Sequence, residues 1–119
     1  MIQLSERINN KVISANPALI QLPFELFNPY RMIIMQCLKH HGNAEFRQLK
    51  NAIPEITDGN LSSHLKVLEQ SDYIQVHKEI IDRKLRTAYE ITEKGKDDFE
   101  KLRKSLLEFY CDKGDDCHV

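Results

Sequence analysis

Residues 57–95 read TDGNLSSHLKVLEQSDYIQVHKEIIDRKLRTAYEITEKG, and within them the apolar spacing changes twice. Leu61, Leu65 and Leu68 recur at i, i+4 and i+7, the repeat of a helix with one buried face. Thr57 or Asp58 supplies a cap, and the helix is expected to run to about Gln70. After Ser71-Asp72 the period becomes two. Ile74 and Val76 alternate with Gln75 and His77, and Tyr89 and Ile91 flank Glu90. Two antiparallel strands are predicted at about 73–79 and 87–91, joined by a basic segment over 81–86. Thr92 then opens a long helix on which Phe99, Leu102, Leu106, Phe109 and Tyr110 share a face.

Working back from residue 57, Pro54 closes a short helix predicted at 44–52, with Phe46, Leu49 and Ile53 spaced for one buried face. Two short helices joined by the tight segment IPEIT form a helix-turn-helix skeleton. Upstream, Asn28-Pro29 is a strong helix start and Gly42 a stop, which predicts a helix over 29–41. Its apolar stripe is Tyr30, Ile33, Ile34, Cys37, Leu38 and His41. A further short helix is expected at about 5–14, capped by Ser5, with Ile8 and Val12 one turn apart.

The chain has 119 residues, 41% hydrophobic and 29% charged, which suits one packed domain. Within it, 1–27 is an N-terminal helical extension, 28–91 the core, 92–111 a C-terminal helix and 112–119 a polar tail expected to fray. The fold class is mainly α with a small β-hairpin. No apolar run approaches the roughly 20 residues that cross a bilayer. The N-terminus lacks the order of a signal peptide, so a cytoplasmic protein with no membrane contact is expected. Three cysteines in a reducing compartment argue against a disulfide framework.

The net charge is −1, so any attraction for a polyanion must come from local clusters. The densest is Asp82-Arg83-Lys84-Leu85-Arg86. Opposite its leucines, the helix over 58–70 presents Gly59, Ser63, Lys66 and Gln70, flanked by Asn60, Ser62 and Val67. A helix entering a DNA major groove needs close approach, donors and acceptors for base edges, and no repulsion of phosphates. This face meets all three needs, although any solvated polar face shares some of them. A basic wing following the helix-turn-helix without interruption is far more specific than either part.

The stretch from Ile56 to Lys96 resembles winged-helix regulators of the broad MarR and ArsR type, above all a small single-domain subgroup. The resemblance covers roughly residues 28–100 and is dense from Thr57 to Gly95. It implies a dimeric transcriptional regulator whose third helix enters the major groove while the wing contacts flanking backbone. By position, Thr57, Asn60, Ser62, Ser63 and Lys66 fall on the recognition helix and His64 on the motif's usual histidine. Arg83, Lys84 and Arg86 fall on the wing, and Thr87 on its returning strand. Three departures bear on geometry. Ser71-Asp72 stands where the family has Ala-Gly, Asp82 where it has glycine, and Leu85 where it has proline.

The terminal helices carry more apolar surface than one small core covers. A two-fold dimer burying Ile8, Val12, Phe99, Leu102, Leu106 and Phe109 would resolve this. It would set two recognition helices about 34 Å apart, one DNA turn. Cys111, Asp112, Cys117 and His118 have ligand chemistry but lack the spacing of a structural zinc site, so no metal or cofactor is expected. No phosphate loop, nucleophile elbow or carboxylate pair is present, so an enzyme is not expected. The leading expectation is a sequence-specific dimeric DNA-binding regulator, a repressor, binding double-stranded DNA. The alternative is a winged-helix protein–protein module without DNA binding. A third reading adds a small-molecule effector between the terminal helices and the core.

Overall fold

The computed structural model describes residues 22–111. The expected helix at 5–14, with Ile8 and Val12, and the tail at 112–119 lie outside the described residues. A 3-10 turn at Phe24–Leu26 leads into α1 (Pro29–His41), β1 (Asn43–Glu45) and α2 (Phe46–Ala52). Then come α3 (Asp58–Gln70), β2 (Ile74–Ile81), β3 (Lys84–Ile91) and α4 (Glu93–Tyr110).

Helix α1 starts and stops where its sequence dictates. The Asn28 side chain accepts from the Tyr30 and Arg31 amides at 2.9 and 3.3 Å. Gly42 closes the helix at φ 85°, a conformation only glycine adopts without strain. The buried stripe is Ile34, Met35 and Leu38. Tyr30 and Ile33, expected inside, are 41% and 39% exposed, because the sheet and α4 meet α1 on the Met35 side.

Asn43–Glu45 had no strand signal, being too short to show alternation. It nevertheless pairs antiparallel with β3 (Ala44 opposite Tyr89), which makes a three-stranded sheet of order β1-β3-β2. Helix α2 therefore begins two residues later than expected, with the Gln48 side chain accepting from the Glu45 amide at 2.8 Å.

The α3–β2 turn forms without glycine. Asp72 takes φ 62°, its amide donates to Glu69 O at 3.0 Å and the Tyr73 amide to Leu68 O at 2.9 Å. This pair of hydrogen bonds is a Schellman closure with aspartate in the left-handed position. The strands run further than expected, to Ile81 and from Lys84. Only Asp82 and Arg83 connect them, at φ 53° and 64°. Two consecutive left-handed residues make the tight hairpin turn whose twist matches the strands.

Thr92 caps α4 by accepting from the Gly95 amide at 2.9 Å, and its hydroxyl donates to Asp72 O at 2.6 Å. Lys94 donates to Ser71 O at 3.0 Å. The TEKG segment thus fastens α4 to the α3–β2 turn. The core joins Leu26, α1, Leu49, Ile53, Ile56, the α3 leucines, Tyr73, Ile74 and Ile91 to Phe99 and Leu102 of α4.

That last pair corrects an expectation. Phe99 and Leu102, assigned to a dimer interface, are 6% and 0% exposed inside the chain's own core. Leu106 is half-buried and Phe109 exposed. Cys37 is a free thiol on α1, whereas Cys111 is disulfide-bonded, although the cysteine count argued against a disulfide framework.

Candidate nucleic-acid interface

The candidate surface is the outer side of α3 and the hairpin beside it. Leu61, Leu65 and Leu68 turn inward, which obliges Gly59, Asn60, Ser62, Ser63 and Lys66 to face solvent, and all five are exposed. Gly59 leaves open space where a side chain would stand. Its backbone is therefore accessible to a close-approaching partner. Asp58, the carboxylate in the first turn, is ion-paired with Lys50 of α2.

Thr57 lies elsewhere in role. Its hydroxyl accepts from the Asn60 amide at 3.1 Å and caps α3. The residue is exposed at the edge of the helical face, with one acceptor site already committed.

His64 is turned toward α1 and is half-buried. Its Nδ1 accepts from Arg31 Nε at 3.2 Å, and its ring lies 5.4 Å from that of Tyr30. Arg31 also donates to Glu25 O at 2.9 Å. Burial and the Arg31 charge both lower the His64 pKa from its ordinary 6.5. The imidazole is therefore neutral at pH 7, and acceptance at Nδ1 leaves the proton on Nε2. Sequence reasoning missed Arg31, whose partner is 33 residues away.

Residue order along the hairpin decides which cations face α3. The register pairs Ile74 with Ile91, Val76 with Tyr89, Lys78 with Thr87 and Ile80 with Leu85 on the face that starts in the core. Ser62, Lys66 and Glu69 of α3 join Val76, Lys78, Thr87 and Tyr89 around one shallow cleft of about 280 Å³. Ser62, Lys66 and Thr87, predicted separately, are thereby brought together. Lys78 was missed, because alternation places it on the α3 side only once the register is known. Burial and then Glu69 raise the Tyr89 pKa, so its phenol stays protonated.

The three wing cations do not form one loop tip. Arg83 occupies the turn, while Lys84 and Arg86 lie on β3 and point to the opposite face of the sheet from Thr87. Arg86 is held by Glu45 at 3.3 Å, tying the wing to β1. Among the described residues, Lys66, Lys78, Arg83 and Lys84 make no ion pair. Also among the described residues, no group of three or more His, Cys, Asp or Glu is placed to hold a metal. No helix there is long and apolar enough to cross a membrane.

Known proteins share this architecture. The family model of the winged helix DNA-binding domain matches residues 30–110. An uncharacterised protein of Methanocaldococcus jannaschii is 33% identical over 85 residues, covering 71% of this chain and 91% of that one. A solved transcriptional regulator homologue from Pyrococcus horikoshii is 35% identical, with a TM-score of 0.69 over 76% of this chain and 89% of its own. A MarR-family structure from Enterococcus faecalis, 18% identical, superposes with a TM-score of 0.64 over 84% and 89% of the two chains. Continuous agreement from α1 to the end of α4, in sequence and in shape, shows that the chain belongs to the winged helix DNA-binding domain family.

Proposed function

We propose that the protein is a sequence-specific, dimeric DNA-binding transcriptional regulator that represses by occupying a promoter. One observation carries the reading. The exposed face of α3 and the inner face of the hairpin adjoin through Ser62, Lys66, Lys78 and Thr87, giving a donor-rich ridge beside unpaired cations. In this reading α3 enters the major groove. Asn60, Ser62 and Ser63 approach base edges, and Lys66, Lys78, Arg83 and Lys84 meet phosphates. Arg86 has a lesser part, since Glu45 already neutralises it. Thr57 orients the helix, and His64 can offer Nε2–H to a phosphate only from its fixed position against Tyr30. Base discrimination is modest, because α3 carries no arginine for bidentate contact with guanine.

Similarity to the Pyrococcus horikoshii transcriptional regulator homologue supports regulation as the role. What the single chain leaves uncovered supports dimerisation. Phe109 and Tyr110 at the end of α4 are 56% and 76% exposed, and Leu106 borders them. A second copy packing here would pair two recognition helices.

The test is fluorescence anisotropy of labelled mixed-sequence duplex DNA titrated with the full chain across a salt series. Saturable binding that weakens steeply with salt is expected. Absence of binding even at low salt would replace this reading with a protein-interaction module.

A further inference from the structure

The outer end of the hairpin carries an apolar pair that neither the core nor phosphate contact explains. Ile80 and Leu85 stand opposite each other across the strands and are 77% and 66% exposed. They share the face of Lys78 and Thr87, one step further from α3, about 7 Å along the strands. The inner face therefore reads apolar in the core, polar at the cleft with α3, and apolar again beyond it. Cations frame this end. Lys78 precedes the pair on the same face, Arg83 follows in the turn, and Lys84 flanks it on β3. Two carboxylates stand among these cations, Glu79 opposite Arg86 on the face that Lys84 shares, and Asp82 beside Arg83 in the turn, which leaves cations in the majority.

We propose that Ile80 and Leu85 are a wedge that enters the DNA minor groove beside the major groove occupied by α3 and unstacks a base step there. Side chains directly opposite in a strand pair stand about 5 Å apart, a compact aliphatic edge. Aliphatic wedges of this kind kink duplexes when cations hold the backbone on either side. Charge complementarity and continuity with the α3 cleft select nucleic acid as the occupant. The cost of unstacking depends on the step, so the wedge adds sequence preference at positions that α3 does not touch. The proposal rests on the DNA-binding reading above and deepens it.

The test uses the pool of duplexes, about 30 base pairs long, that the wild-type chain selects from a random library. Permanganate reactivity of thymines reports unstacking in the bound pool, and anisotropy reports affinity. Wild type should make thymines reactive at one position outside each α3 footprint. I80T/L85T retains β-forming residues and should keep the melting temperature. It should bind about ten-fold more weakly with an unchanged salt slope, and lose the reactivity. The single variant L85T should fall between, which separates loss of the wedge from loss of the hairpin. Stacked thymines in the saturated wild-type complex, or reactivity unchanged in I80T/L85T, would overturn the wedge while leaving DNA binding intact. A wild-type chain that selects no DNA would overturn both.

Discussion

Gly95 is where α4 comes closest to the rest of the molecule. A Cβ there would lie 2.3 Å from Tyr73 O and 2.9 Å from Ile91 Cγ1. The carbonyl cannot yield easily, since it accepts from the Thr92 amide at 3.0 Å. Gly95→Ala is expected to destabilise the fold by about 2–3 kcal/mol, read from urea unfolding. Gly59 makes the opposite case, because a Cβ there meets nothing. Gly59→Ala should leave stability equal or slightly higher, while a methyl group on the side of α3 proposed to enter the groove is expected to lower DNA affinity. His64 adds a pH dependence. Its folded pKa lies below 6.5, so the unfolded chain binds more protons at mildly acidic pH. Stability is full above pH 6.5, and its His64 share is lost as pH falls from there through the folded value. A melting series should show that loss in wild type and its absence in His64→Gln.

At the scale of elements, turns carry what local rules alone would have made glycine. Asp72 and Asp82 both take the left-handed conformation, one closing α3 and the other turning the wing. Asp72→Gly is expected to stabilise by about 0.5–1 kcal/mol in thermal unfolding, by relieving that conformation. Asp82→Asn keeps a residue suited to the turn and removes a carboxylate beside the cations. It should strengthen DNA binding at low salt without changing the melting temperature. The helices were legible because their signals are local: Asn28-Pro29 and Gly42 for α1, and three leucines for α3. β1 was not legible, since three residues carry no period and only pairing with β3 makes them a strand. The wing was misread for a related reason. Charge density in 81–86 suggested a loop, whereas the register extends both strands to a two-residue turn and splits its cations between faces.

At the scale of the whole molecule, α4 divides its apolar face. Phe99 and Leu102 complete the chain's own core, a split that periodicity cannot reveal because one stripe serves both uses. Leu106 packs against that core from its edge, while Phe109 and Tyr110 stay exposed and would meet the second subunit of the proposed dimer. Replacing Phe109 and Tyr110 with serine is expected to shift a dimer to a monomer in light scattering, with little change in the chain's core, since both are exposed. It should also weaken DNA binding by more than any single wing substitution, because two linked sites act together. Of the candidate site, the α3 face was legible from a helical wheel. The join between α3 and the wing was not, since Lys78, Arg31 and the Glu45–Arg86 pair depend on contacts between residues far apart in sequence.

In the proposed function the α3 ridge and the wing cations form one surface for DNA. The most direct measurement is the slope of log affinity against log salt for wild type and Arg83→Ala/Lys84→Ala on the same duplex pool. Two lost phosphate contacts should flatten the slope by about two units per bound subunit and lower affinity on every sequence alike. An unchanged slope would show that the wing does not meet the phosphates and would contradict the claim.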